Sequence, residues 1–154
     1  MKLLLTLIIA ATSLFANAQF RAIGLAKNQQ CVNNLKQMGL SYQMHLQDHR
    51  KGPETFKDLE SYTGRTIQDC PNARQNKQYI LIPGTIAASD NCPVIMDRIG
   101  NHPNEINVLY RNGRTATIRY AGNNYSNLIS QFKGLAKEEQ KKLTDFFRKL
   151  DQKK

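Results

Sequence analysis

The chain lacks most of the features that would name a chemistry. Three cysteines, Cys31, Cys70 and Cys92, are present among 154 residues. They form no C-x-x-C pair and match no zinc-module spacing, which excludes a redox or zinc motif local in sequence. There is no G-x-S-x-G and no H-E-x-x-H, so neither a nucleophile elbow nor a zincin helix is encoded. No repeat or low-complexity tract occurs. The apolar run Leu3 to Phe15 falls short of the about 20 residues of a typical membrane span. Acidic side chains are scarce, 12 against 22 Lys and Arg, giving a formal net charge of +10. The basic residues are spread along the chain with a modest excess in the last dozen, so a solvated basic surface is favoured over a nucleic-acid footprint. A hydrophobic fraction of 40% places the chain among globular proteins, with length enough for one domain and its own core.

The N-terminus reads as a targeting segment. Lys2 is a short positive region, Leu3 to Phe15 the apolar region, and Ala16-Asn17-Ala18 a small-x-small cleavage motif. A signal peptide over residues 1–18 is expected, with the mature chain starting at Gln19. Losing Lys2 leaves 21 basic against 12 acidic residues, a mature net charge of +9. The alternative is an uncleaved anchor helix running on toward Ile23 and Leu25, interrupted by Asn17, Gln19 and Arg21.

Residues 19–154 read as a single domain. Ala22 to about Asp48 contains no proline, and Cys31, Val32, Leu35, Met38, Gly39, Tyr42 and Leu46 recur on one helical stripe. Asn33, Lys36, Gln37 and Gln43 fall off it, and Leu40 and Met44 lie opposite. Gly39 on that stripe suggests close approach by a strand. Gly52-Pro53 is expected to end the helix. A second, short helix is expected from Thr55, as cap, to Tyr62, with Phe56, Leu59 and Tyr62 on one face and Thr63-Gly64 as its stop. Four strands follow: Gln78 to Pro83, Cys92 to Arg98, Ile106 to Arg111 and Arg114 to Tyr120. Asn112-Gly113 predicts a two-residue type I′ turn between the last two, because both positions need φ > 0. Tyr125, Leu128, Ile129 and Phe132 suit a short helix, and a final amphipathic helix covers about 135–150, with Asp151 to Lys154 a frayed basic tail. The fold class is α+β: a long N-terminal helix packed on a small antiparallel sheet of about four strands, with short C-terminal helices.

Candidate chemical groups are few. His45 and His49, four apart on the long helix, have a spacing that can serve one metal, but a third ligand is not apparent. They read as partly exposed residues at a fraying helix end. Asp90, Asp97, His102 and Glu105 cluster in sequence near the hairpin, which is the whole case for an exported hydrolase; charges near a turn are usually solvated. His102 reads as structural, its ring bonding a backbone group where the second strand crosses to the third. No catalytic residue, metal ligand, cofactor or small-molecule substrate is assigned.

Two stretches carry a family resemblance. Cys31-Val32-Asn33-Asn34-Leu35-Lys36-Gln37-Met38-Gly39-Leu40 resembles the C-x-N-N-L-K-Q-[IL]-G-L segment of bacterial pilin-like proteins with a processing-associated H-x9-D-G motif, relatives of type II secretion pseudopilins. His102, nine residues, then Asn112-Gly113 is similar to that H-x9-D-G. Asp69-Cys70-Pro71 resembles the family's Cys-Pro. The chain departs from the family in having no Gly before its apolar run, no Glu within it, and Asn112 in place of Asp. The resemblance implies a pilin-like fold. Because the prepilin peptidase site is lacking, it does not imply polymerisation into a pilus.

The resemblance and the signal peptide together imply an exported, non-enzymatic interaction module, periplasmic or extracellular in a bacterium, with protein partners in the envelope, a link to a type II secretion-like system and no stable membrane span after cleavage. The alternative is a secreted binder of DNA or acidic polymer. Cys31 and Cys70 are the two cysteines inside family-like motifs, and Cys31 points from the buried stripe past which the segment after the second helix must run. A Cys31–Cys70 disulfide is therefore expected, with Cys92 free; the rival pairing is Cys70–Cys92.

Overall fold

The computed structural model describes residues 2–63, 69–72 and 78–153, with side chains from Ala22 onward. The elements in chain order are α1 (Lys2–His49), α2 (Lys57–Thr63), β1 (Ile80–Leu81), β2 (Pro93–Met96), β3 (Glu105–Tyr110), β4 (Thr115–Arg119), a 3₁₀ helix (Tyr125–Gln131) and α3 (Lys137–Asp151). The strands form one antiparallel sheet in the order β1-β2-β3-β4. The fold is therefore mixed α+β, with the long helix N-terminal to the sheet and two short helices after it. Among the described residues no helix is long and apolar enough to cross a membrane.

The stripe on α1 is where the sequence pattern puts it. Cys31, Leu35, Met38 and Tyr42 are buried, while Leu40 and Met44 face solvent. A Cβ on Gly39 would stand 3.0 Å from Leu109 Cδ1, so glycine lets the helix ride close over the C-terminal part of β3. The helix runs unbroken through Ala16-Asn17-Ala18; the side chains of that motif and of the apolar run lie outside those described. Residues 22–27 are exposed, so α1 extends past the sheet before it begins to pack at Cys31. It ends at His49, ahead of Gly52-Pro53: Arg50 takes the left-handed conformation (φ 60°) and donates its N–H to Leu46 O at 2.9 Å. This is the usual C-terminal stop, made here without glycine.

β3 is covered on both faces, which is why Ile106 to Tyr110 are all buried. Side chains alternate along a strand. Asn107 and Leu109 face α1, through the Asn107–Asn28 bond of 2.7 Å and the Gly39 approach. Ile106, Val108 and Tyr110 face the other way, where the Tyr110 and Phe132 ring centroids are 6.3 Å apart. Phe132 in turn packs on Phe147 of α3. The core is thus two apolar layers, one on each side of the sheet. Burying each large side chain contributes on the order of 1.5–3 kcal/mol.

Several boundaries move from the expected ones. β1 is reduced to two residues paired as Ile80 with Met96, and β2 to Pro93–Met96. At the other end of the chain Asp151 is no frayed tail: its carboxylate accepts the Tyr125 and Ser126 N–H groups at 2.7 and 3.1 Å, tying α3 to the start of the 3₁₀ helix. α2 begins under a carboxylate clasp. Asp58 Oδ2 accepts the N–H groups of Glu54 and Thr55, both at 2.9 Å, the reach-back of a capping box that begins at Thr55. Gly64, the expected stop of α2, lies outside the described residues.

The hairpin turn differs in kind. Gly113 has φ 83°, but Asn112 is not in the left-handed region, so the turn is not type I′. Gly113 N–H donates to Tyr110 O at 2.9 Å and Tyr110 N–H to Arg114 O at 2.8 Å. The loop is three residues, Arg111 to Gly113, the arrangement in which a type I turn is closed by glycine in a bulge. The cause is tertiary. Arg111 and Asn112 give their N–H groups to Cys92 O and Asp90 O, at 2.9 and 3.2 Å, and Gln43 of α1 donates to Arg111 O. A two-residue turn would pull Arg111 into the β4 ladder and away from these partners.

Candidate functional site

The polar centre of the molecule lies between the end of β2 and the start of β3. Asp97 follows β2 directly. Its N–H donates to Asn107 O at 2.9 Å, and its Oδ2 accepts the Asn107 N–H at 3.2 Å. The chain then loops back through Gly100 (φ 94°) to His102, which forms an isolated antiparallel bridge with Glu105. This return sets the imidazole over Asp97, with His102 Nε2 and Asp97 Oδ2 3.1 Å apart. Cys70, from the segment after α2, sits 3.5 Å from the same Nε2. Cys31 of α1 closes the cluster, its sulfur 2.7 Å from that of Cys70.

All four residues are sealed, at 3% exposure or less. Burial alone drives an imidazolium toward its neutral form. Here the Asp97 carboxylate and the Cys70 sulfur more than offset that, and the His102 pKa is pushed up to about 9. The contact between the two sulfurs lowers the Cys31 pKa and, together with burial, raises that of Cys70.

An amide shell surrounds the cluster. The Asn72 amide is hydrogen-bonded to His102 Nδ1 at 2.9 Å. Asn107 donates to Asn28 Oδ1, and its own Oδ1 accepts the Thr117 hydroxyl at 2.7 Å. Asn34 donates to Asp69 O at 3.4 Å, holding the Cys70 segment on α1. Tyr79 donates its hydroxyl to Cys31 O at 3.4 Å.

The residues singled out from the sequence divide between this centre and the scaffold. Cys31, Asn34, Cys70 and His102 meet in it. Pro71 is half-buried beside Cys70, and Leu35 and Gly39 serve the helix–sheet interface. Asn33 and Lys36 are exposed. Asn112 and Gly113 form the turn at the far end of β3, about 20 Å of strand away from His102. The H-x9-N-G spacing is thus the length of one strand with its flanks, and its two ends make separate structures. Against expectation, the His102 ring bonds no backbone group among the described residues; its ring partners are the side chains of Asp97, Asn72, Cys70 and Asn107. Asp97 is not a solvated turn charge but fully buried. Glu105 and Asp90 do not join it: they pair with Arg119 and Arg111 at 3.5 and 3.3 Å. The three thiols are free in the structure, with Cys31 and Cys70 in direct contact and Cys92 apart from both, near Glu139 and Arg111.

His45 was expected to be partly exposed and is buried. Its Nδ1 lies 3.2 Å from Lys51 O, and its ring stacks 4.4 Å from that of exposed His49. Tyr62 of α2 donates to Asp48 at 2.8 Å, so this second histidine group fastens α1 to α2. Sequence reading also passed over Glu139. Its buried carboxylate accepts the N–H groups of Ala88 and Ser89 at 2.7 and 2.8 Å and the Ser89 hydroxyl at 2.6 Å. Only its place on the inner side of α3, four residues before Leu143, hinted at burial. Asn72 and Asn107 carried no signal at all.

Comparison of the chain with family models, with curated proteins and with solved structures gave no match.

Proposed function

We propose that this chain is an exported, non-enzymatic, pilin-like protein that acts as an interaction module at the bacterial envelope or outside the cell, linked to a type II secretion-like system. The observation that carries this reading is the layout of α1. From Cys31 to Leu46 the helix packs on the sheet, whereas residues 22–27 stand exposed beyond it, including Ile23 and Leu25. A helical shaft rising from a helix-on-sheet head is the shape in which pilin-like proteins present themselves to partners. The polar centre supports the non-enzymatic part. Cys31, Cys70, Asp97 and His102 are each 3% exposed or less and bond chiefly to one another and to neighbouring amides, which favours a structural role over catalysis. A basic surface suited to DNA or acidic polymer is the second reading, and its signature is a steep loss of binding with salt.

Cell fractionation with sequencing of the mature N-terminus tests the proposal. A soluble exported chain beginning at Gln19 is the expected result. Recovery of the intact Met1 form from washed membranes would overturn the soluble, cleaved state, and an N-methylated Phe at the N-terminus would mark prepilin-type processing instead. Mass mapping of the same exported material without reductant should give a Cys31–Cys70 linked peptide; a link from Cys92 to either other cysteine would count against that pairing.

A further inference from the structure

One carboxylate oxygen in the core has no partner among the described residues. Asp97 Oδ2 takes the Asn107 N–H and faces His102, but Oδ1 is buried and unbonded. Buried polar atoms left this way are rare, because the lost hydration is not repaid. The oxygen belongs to a group of four side chains whose donor atoms, from Cys31, Cys70, Asp97 and His102, all lie within 4.8 Å of one another. Two thiols, one imidazole and one carboxylate are a donor set suited to zinc, which takes four such ligands tetrahedrally. Calcium and magnesium need mostly oxygen ligands, and one carboxylate does not supply them.

The surrounding groups favour an ion over a merely packed polar core. His102 turns Nε2 toward the cluster and has the Asn72 side-chain amide against Nδ1; turned over, that amide offers its oxygen to an Nδ1–H, the usual way a ligating imidazole is oriented from behind. Asp97 is held by the Asn107 N–H through one oxygen, which leaves the other to bind. The ligands come from four separate segments: α1, the stretch after α2, the end of β2 and the bridge before β3. A metal there would cross-link all of them.

We propose that, in the reduced chain, Cys31, Cys70, Asp97 and His102 form a closed structural zinc site. On binding, each thiol loses its proton to solvent as a sulfur–zinc bond forms, the His102 imidazolium gives up its Nε2 proton to solvent and binds through that nitrogen while keeping Nδ1–H, and Asp97 binds through Oδ1. Two thiolates and a carboxylate against Zn²⁺ leave a net charge of −1 at the centre. Zinc–sulfur bonds of about 2.3 Å in tetrahedral geometry place the sulfurs about 3.8 Å apart. The ion therefore parts the thiol pair by about 1 Å from its metal-free contact. A Cys31–Cys70 disulfide uses the same sulfurs and excludes the ion. The inference concerns the reduced chain and stands or falls apart from the export reading.

The test uses the full chain, stripped of metal, reduced with a phosphine and titrated anaerobically with Co²⁺ and then Zn²⁺. One Co²⁺ per chain is expected, with thiolate-to-cobalt charge-transfer and tetrahedral d–d bands that Zn²⁺ bleaches. Asp97→Asn and His102→Gln, each checked for native circular dichroism, should bind more than about tenfold more weakly, and Cys92→Ser should bind as the wild type does. Absence of the bands from folded, reduced wild type overturns the proposal whatever the variants do. So does unchanged binding in both Asp97→Asn and His102→Gln, or loss of binding in Cys92→Ser.

Discussion

The two ends of β3 are built on opposite principles. At its N-terminal end His102 is 3% exposed and held by side chains from two other segments, Asp97 after β2 and Cys70 and Asn72 from the stretch after α2. At its C-terminal end Asn112 and Gly113 are at the surface, and backbone groups hold the turn: Gly113 to Tyr110, Asn112 to Asp90 and Arg111 to Cys92. The first end depends on which side chain is present, because the Asp97 and Cys70 partners are desolvated and an unpaired buried group is costly. The second depends on backbone conformation, because its side chains keep their hydration. Identity at one end of the strand should therefore matter more than at the other.

The largest effect is expected at the buried end. His102→Ala leaves the Asp97 carboxylate buried without its ring partner and opens a cavity, so the variant should lose roughly 3 kcal/mol or more of unfolding free energy. Denaturant unfolding of the metal-free chain measures this, and a loss smaller than that of the turn variants below would break the comparison.

The turn end is propped from behind by Glu139, which clamps Ala88 and Ser89 just ahead of the Asp90 and Cys92 carbonyls. Burial pushes the Glu139 pKa up, but the Ser89 hydroxyl and the Ser89 and Ala88 N–H groups outweigh it, and the net shift is downward. A carboxyl whose folded pKa lies below its unfolded value stabilises above the unfolded value, about 4.3, and loses that contribution as pH falls through the folded one. Glu139→Gln should therefore cost about 1–3 kcal/mol at pH 7. The gap to wild type should narrow as the pH falls below about 4. A gap constant from pH 7 to 3 would show that the charge is not what holds the loop.

Gly113→Val comes next. A β-branched residue at φ 83° is strained by about 1–2 kcal/mol. The space around it is open, since a Cβ there would come no nearer than 3.9 Å to Gln43 Nε2. The thermal midpoint should therefore fall from backbone strain alone, while the Cys31–Cys70–His102 centre stays intact. Asn112→Ala is the smallest. It removes the acceptor of the Arg114 N–H, an exposed bond of 3.0 Å, and should cost no more than about 1 kcal/mol. An Asn112→Ala loss matching that of His102→Ala would mean that the turn side chain, and not the backbone, carries that end.

The pattern of apolar residues made the frame readable in advance. The α1 stripe, the four strands and the C-terminal helices were legible because periods of 3.6 and 2 are local properties of the chain. The hairpin's place was legible from Asn112-Gly113, but its type was not. The extra loop residue is set by Asp90 and Cys92, about twenty positions earlier in the chain. His45 was misjudged because the sequence around a helix end does not show that Lys51 and Tyr62 close over it. Asp97 was misjudged for a related reason: composition treats a carboxylate near a turn as solvated, and only the return of the chain through Gly100 buries it.

By itself, then, the sequence determined the secondary elements and the side of α1 that packs, since both follow from spacing along the backbone and from the cost of exposing apolar surface. Tertiary structure alone decided that Cys31, Cys70, Asp97 and His102 share one dry volume while Asn112-Gly113 stands a strand's length away. Residues 31, 70, 97 and 102 come together because α1 crosses β3 at Gly39 and the chain doubles back between β2 and β3. Those crossings are fixed by packing between segments, not by the residues' own neighbours.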